Sequence, residues 1–159
     1  MNHLKTIKIL FVLIGLLLVV TTEAATGHEH KKENINMFTG MGSEPYKTVK
    51  NFHKALKTKN KSLALLSLHE QVTIFEGGKV ERSASEYASH HMQADMNYVS
   101  SVNVELLEHH VEIIGEVAIS IARTKTTGFY KDKTVNRQGM ETIVLRKYDG
   151  IWKISHIHW

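Results

Sequence analysis

The chain has 159 residues, 42% of them hydrophobic and 23% charged, with ten Gly, one Pro, no Cys and a formal net charge of +4 at neutral pH. The ordinary apolar fraction excludes a wholly disordered chain, and the scarcity of Pro excludes a collagen-like or Pro-rich polymer. The lack of Cys excludes a disulfide scaffold, an iron–sulfur protein, a Cys nucleophile and a Cys-ligated zinc finger, and the length points to one domain.

At the N-terminus Lys5 and Lys8 precede the apolar run Ile9 to Val20, which the small and polar stretch TTEAATG follows. This predicts a secretory signal peptide over residues 1–24, cleaved after Ala24, because the run has h-region length and falls short of the roughly 20 residues that span a bilayer. An uncleaved anchor is the alternative. The protein is therefore expected to be exported, periplasmic or extracellular, with no stable membrane insertion after cleavage. Residues 25–44 show no apolar period and read as a flexible leader carrying His28, His30, Met37 and Met41. Imidazole and thioether suit copper, but four scattered ligands read more simply as a solvated tail.

Pro45 then opens a helix with the stripe Val49, Phe52, Ala55, Leu56, and Asn60 ends it before a short helical segment from Ser62 to Leu68. Lys54, Lys57, Lys59 and Lys61 lie here without interleaved aromatics, which reads as a solvated face and disfavours nucleic-acid binding. VTIFE (72–76) is a strand stopped by Gly77-Gly78. Ser83-Ala84-Ser85-Glu86 has the form of a capping box, so a third helix is expected from there to about Met96. From residue 101 the chain turns to β-branched, alternating runs: SVNVELLEHHVEII, EVAISIARTKTTGFY, NRQGMETIVLRKY and IWKISHIHW. Asp149-Gly150 joins the last two as a hairpin turn. Helices followed by an antiparallel meander define an α+β class, with helices packed on one face of a curved sheet.

The histidines focus attention, since there are eleven and imidazole both ligates metals and titrates near neutrality. Counting outward from the Asp149-Gly150 turn puts Ile143 opposite His156 and Glu141 opposite His158, so Trp152, Ile154, His156 and His158 share a face with Glu141, Ile143 and Leu145. Taking that face as inward aims Glu141, His156 and His158 into the interior. On the third helix the stripe Ala84, Tyr87, Ala88, Met92 runs through His91 and Asp95, at i and i+4. His109 and His110 read as edge-strand surface, and Trp152 and Trp159 as core and interface.

EGGKVERSASEYASHHMQADM (76–96) together with METIVLRKYDGIWKISHIHW (140–159) closely resembles the SnoaL-like and ketosteroid isomerase-like branch of the nuclear transport factor 2-like superfamily, over roughly residues 45–159. The resemblance implies a cone of curved antiparallel sheet wrapped around N-terminal helices, a cystatin-like arrangement with a deep pocket at its open end, often as a homodimer. It also matches Asp95, His91, His156 and His158 to pocket-lining positions. The helix stripe and the hairpin face add Tyr87, Met92, Ile143, Trp152 and Ile154 as ligand-pocket candidates. Tyr87 and Met92 belong with Phe75, Tyr98 and Phe129 to an apolar wall in which each residue faces either in or out. The superfamily includes isomerases, dehydratases, cyclases and proteins with no known reaction, so fold alone does not choose among them.

Four readings follow. The first is a pocket enzyme in which a His/carboxylate pair, Asp95 with His91 or Glu141 with His158, transfers a proton on an apolar or cyclic small molecule. In the second, His91, Asp95, His156 and His158 hold a divalent metal, Zn, Cu or Fe. A third is a non-catalytic binding module, dimeric, with a small-molecule ligand in its cone. The plainest is a hydrogen-bonded buried polar network with no chemistry at all.

Overall fold

The structure is a computed structural model and describes residues 36–159, so the expected signal peptide, His28 and His30 lie outside the described residues. Chain order begins with a short strand inside the stretch expected to be a flexible leader: β1 (Phe38–Thr39) pairs in parallel with the segment around His109, whose N–H donates to the Met37 carbonyl at 2.8 Å. Met37 and Met41 are each half-buried. The close approach depends on Gly40. At φ +71° it occupies left-handed space, and an added Cβ would sit 2.3 Å from the Val111 carbonyl oxygen. Gly40→Ala is expected to destabilise the protein by about 1–3 kcal/mol, as forced overpacking does, measured as a lower urea midpoint with unchanged slope.

The helix α1 (Glu44–Lys57) forms where the sequence supplies both a cap and one apolar stripe. Ser43 Oγ accepts from the Tyr46 N–H at 3.3 Å, Pro45 occupies the first turn, and Val49, Phe52, Ala55 and Leu56 are buried. Asn60 does not end α1. The helix stops at Lys57, Lys59 takes a left-handed φ of 56°, and Asn60 caps the next helix by accepting from Leu63 N–H at 3.0 Å. That helix is α2 (Lys61–Ser67), followed directly by β2 (Leu68–Glu76), which starts earlier than the VTIFE run. After the Gly77-Gly78 turn comes β3 (Lys79–Glu81).

The expected third helix is two helices, α3 (Ala84–Ser89) and α4 (Met92–Ser101). Ser83 caps α3 as anticipated, accepting from Glu86 N–H at 3.0 Å, while the Glu86 carboxylate reaches back to the Arg82 N–H at 2.6 Å. The break falls at His90-His91 because the His91 imidazole is engaged by Glu81 on β3, a tertiary contact that competes with helical continuation. One consequence is chemical. In an unbroken helix residues eight apart are separated by about 12 Å along the axis, whereas here Tyr87 of α3 and Asp95 of α4 meet.

Four long strands complete the chain: β4 (Val102–Ile114), β5 (Val117–Tyr130), β6 (Lys133–Tyr148) and β7 (Ile151–His158). They form one curved, unclosed sheet in the order β1-β4-β5-β6-β7-β2-β3, antiparallel except for the β1–β4 and β2–β7 pairs. Helices pack on its inner face, so the α+β expectation holds. The core joins Val49, Phe52 and Leu56 of α1 to Ile74, Ile143, Leu145, Ile154 and Ile157 of the sheet and to Tyr87, Met92 and Met96. No helix among the described residues is long and apolar enough to cross a membrane.

The β6–β7 hairpin departs from the sequence reading in one residue with large effect. Its turn is as expected, with Tyr148 opposite Ile151 and both Asp149 (φ 48°) and Gly150 (φ 82°) left-handed. Leu145 then pairs with Ile154 but Val144 pairs with His156, so Ser155 is an extra residue, a β-bulge. Beyond it Ile157 lies opposite Ile143, and Thr142, not Glu141, lies opposite His158. His156 and His158 therefore point to the outer face, beside Thr73 and Phe75 of β2. The driving force is plain: the bulge lets Ile154 and Ile157 both go inward, each worth about 1.5–3 kcal/mol on burial, where regular alternation would bury two imidazoles.

Two further expectations change. Tyr87, Met92, Ile143 and Ile154 are fully buried and packed together, so they form core and not the wall of an open pocket, while Trp152 is half-buried against them. His109 is 4% exposed, not edge-strand surface, because it shares the inward parity of Val111 and β1 covers the β4 edge. His110 faces the other way and is half-exposed, its Nδ1 3.0 Å from Thr39 Oγ1.

Candidate functional site

Inward positions of neighbouring strands line up in rows, and one row is unusually polar. His109, Ala122 and Glu141 are successive register partners across β4, β5 and β6. One residue past the Thr142–His158 pair lies Trp159, whose N–H donates to the Phe75 carbonyl at 3.3 Å, and Glu76 follows on β2. Two hydrogen-bonded groups are built on this row.

The first lies under α1. His53 Nε2 is 3.0 Å from Glu141 Oε1, with side chains 44% and 12% exposed. Desolvation pulls the His53 pKa down, but the Glu141 charge and hydrogen bond outweigh it and the net shift is upward. In His109 burial dominates and lowers the pKa, partly opposed by Glu141, so this imidazole stays neutral with Nε2 2.7 Å from Ser120 Oγ. Its Nδ1 is buried without a hydrogen-bond partner among the described residues, and its ring meets Tyr46 edge-on at 5.3 Å. Trp159 stacks on Phe52, ring centres 6.2 Å apart, and with Glu141, Met140, Thr142 and His158 it lines a cavity of about 170 Å³.

The second group lies where α3 breaks into α4. The Tyr87 hydroxyl donates to Asp95 Oδ2 at 2.8 Å. Desolvation raises the Asp95 pKa to about 6; the Tyr87 hydrogen bond and His91 oppose this, and the Glu76 carboxylate adds to it. Burial, Asp95 and Glu76 all push the Tyr87 phenol well above its ordinary range, so it remains a proton donor throughout the accessible pH range. Glu81, 2% exposed, holds His91 by one oxygen while its other oxygen has no partner among the described residues, and Glu76 Oε2 is likewise buried and unpartnered among them. A carboxyl titrating near neutrality between a fixed phenol and a second carboxylate is equipped to take up and release a proton.

The structure thus brings Asp95 close to Tyr87 and places Glu141 inward, where it borders the same cavity as His158, but neither carboxylate hydrogen-bonds His156 or His158. Glu141 has His53 as its partner. His156 hydrogen-bonds Thr73 Oγ1 through Nδ1 at 2.8 Å on the outer face, where partial burial and then the neighbouring His158 lower its pKa. The four residues expected to ligate a metal are consequently split between two faces of the sheet. Among the described residues no group of three or more His, Asp or Glu is arranged to hold a metal ion. Sequence reasoning missed His53, His109, Glu76 and Glu81. A signal was available for three of them: His53 fills the i+4 position of the stripe Val49, Phe52, Leu56, Glu76 shares parity with Val72 and Ile74, and His109 shares it with Val111.

Comparison with known proteins agrees with this architecture. Residues 47–159 match the SnoaL-like domain family. A crystal structure of a candidate ketosteroid isomerase from Shewanella frigidimarina is 46% identical, covers 76% of this chain and 97% of its own, and superposes with a TM-score of 0.74. A candidate dehydratase of the nuclear transport factor 2-like family from Streptomyces avermitilis shares the fold at 14% identity, covering 72% of this chain and 91% of its own with a TM-score of 0.62. The association domain of the C. elegans CaMKII does so at 20% identity, covering 70% and 88% with a TM-score of 0.55. No curated protein sequence matches the chain. With its inward polar row, its unclosed curved sheet and this match over most of its length, the chain belongs to the SnoaL-like domain family and shares the fold of nuclear transport factor 2-like proteins.

Proposed function

We propose that the protein is an exported small-molecule pocket protein that catalyses proton transfer of isomerase or dehydratase type, with Asp95 as the acid–base group. One observation carries this reading: the half-buried Asp95 carboxyl has a pKa raised to about 6 and is oriented by the Tyr87 hydroxyl at 2.8 Å. General acid–base catalysis is most efficient when the group titrates near working pH. Ionised, Asp95 would accept a proton from a carbon next to a carbonyl; Tyr87, never ionised, would hold its orientation, and Glu76 would favour return of the proton. The 46% identity to a candidate ketosteroid isomerase supports the same class.

The test is hydrogen–deuterium exchange at the carbon next to the carbonyl in a panel of cyclic ketones, followed by NMR in D2O. Exchange is expected to rise with pH through an apparent pKa of about 6 and to fall about 100-fold or more in Asp95→Asn, the usual contribution of a positioned proton-transfer group. Exchange absent throughout the panel, or surviving Asp95→Asn, removes the reading.

Self-association through the outer sheet face belongs to the same proposal. Ile121, Thr142, His158 and Phe75 are register neighbours there, and Ile121, Met140 and Phe75 are 51%, 77% and 41% exposed. Such a patch on a sheet favours a second copy. Met140→Glu is expected to shift a dimer to monomer in sedimentation velocity and to remove the dependence of the unfolding midpoint on protein concentration.

A further inference from the structure

We propose that the cleft between the end of α4 and the β5–β6 hairpin binds a planar aromatic carboxylate. This cleft, of about 450 Å³, is lined by Tyr98 of α4 and by Tyr130, Lys133, Val135, Asn136 and Arg137 of the hairpin. Its walls are organised. The Tyr98 and Tyr130 rings meet edge to face with centres 5.2 Å apart and an interplanar angle of 82°, and the Arg137 guanidinium lies 5.2 Å from the centre of the Tyr98 ring.

Three features select the ligand. The first is charge: Lys133 and Arg137 are the basic lining residues, no carboxylate lines the cleft among the described residues, and Asp132 of the adjoining turn lies outside it. Secondly, Arg137 makes no ion pair and no side-chain hydrogen bond among the described residues, in contrast to Arg123, which is bound by Glu108 and Gln138. The Tyr98 ring attracts the exposed guanidinium at 5.2 Å and leaves its forked N–H groups available, and that fork matches a carboxylate with two parallel hydrogen bonds. Thirdly, the Tyr98 hydroxyl is buried with no hydrogen-bond partner among the described residues, although buried hydroxyls are normally satisfied. It has almost no accessible surface in this conformation, so a ligand oxygen would reach it only with a shift of the neighbouring side chains. Two tyrosine rings and Val135 supply apolar surface, so the organic part is flat and aromatic rather than sugar-like.

The inference goes beyond the proton-transfer reading and does not depend on it, although Tyr98 is one helical turn from Asp95. Isothermal titration calorimetry of the purified protein with 2-naphthoate, its neutral isostere 2-naphthamide and 2-naphthyl phosphate tests it. The carboxylate is expected to bind at least about tenfold more tightly than the amide, as charge-assisted bidentate contacts do. Arg137→Gln should remove that advantage while leaving amide affinity and the thermal midpoint unchanged, and Arg137→Lys should restore only part of it. Tyr98→Phe should weaken naphthoate several-fold. Equal affinity for naphthoate and naphthamide, an unaltered naphthoate affinity in Arg137→Gln, or tighter binding of the phosphate ester would overturn the proposal. Asp95→Asn should leave naphthoate affinity intact, which separates failure of this site from failure of the proton-transfer reading.

Discussion

Asp95→Asn is expected to make the protein more stable, and only above about pH 4. In the folded state the Asp95 pKa is raised from 3.8 to about 6. A raised folded pKa means that the native state holds the proton more tightly than the unfolded chain. The resulting stability is fully present below the unfolded pKa and is lost as pH rises to about 6, beyond which the ionised, desolvated carboxylate is a constant penalty. Asparagine does not titrate and can still accept the Tyr87 hydrogen bond. Urea unfolding should therefore give equal stabilities near pH 3, and an advantage for the variant of about 1–2 kcal/mol near pH 8, a figure reduced for the partial exposure of the group. A stability difference independent of pH would show that the carboxyl is not perturbed. The same substitution should lower deuterium exchange about 100-fold or more, so a gain in stability and a loss of chemistry at one residue would together mark a strained functional position rather than a structural one.

Phe52→Ala is expected to have the largest effect on folding, a loss of about 3–5 kcal/mol, which is typical of a fully buried phenylalanine. Phe52 has no exposed surface and forms the contact on which Trp159 stacks at an interplanar angle of 16°. Removing the ring opens a cavity beneath α1 and frees the C-terminal tryptophan beside Glu141. The measurement is denaturant unfolding followed by tryptophan fluorescence. Phe52→Leu, which keeps most of the volume, should lose much less. Similar losses for the two variants would mean that the cavity is not what matters.

The expected α+β class, the first helix and the Asp149-Gly150 turn were readable because each depends on local chemistry: a Pro at a helix start before an apolar stripe, two residues able to take left-handed φ, alternation in the long strands. Ser155 was not readable, since nothing in IWKISHIHW marks one residue as extra, and the choice is made by competition for core space among Ile154, Ile157 and the two imidazoles. The helix break was hidden for a similar reason. His90-His91 carries no Gly or Pro, and the interruption is imposed from outside by Glu81. Asp95 and Glu141 were found as candidates because they fall on apolar stripes, but their true partners, Tyr87 and His53, follow from how the elements dock. The aromatic cleft was beyond sequence reading altogether, because Tyr98 and Arg137 are brought together only by the packing of α4 on β5 and β6.

The bulge also bears on how this chain tolerates changes in length. Losing one residue from the middle of a buried strand ordinarily inverts every side chain beyond the lesion and destroys the core. In β7 two residues, Ser155 and His156, stand between the inward Ile154 and Ile157 where regular alternation has one, so deletion of either would leave Ile154 and Ile157 inward and His158 outward, while deletion of Ile157 would not preserve that order. The last strand of the domain thus has a two-residue window, 155–156, within which a shortening mutation is silent in pattern, and drift in length along a lineage of such sequences would be expected to accumulate there.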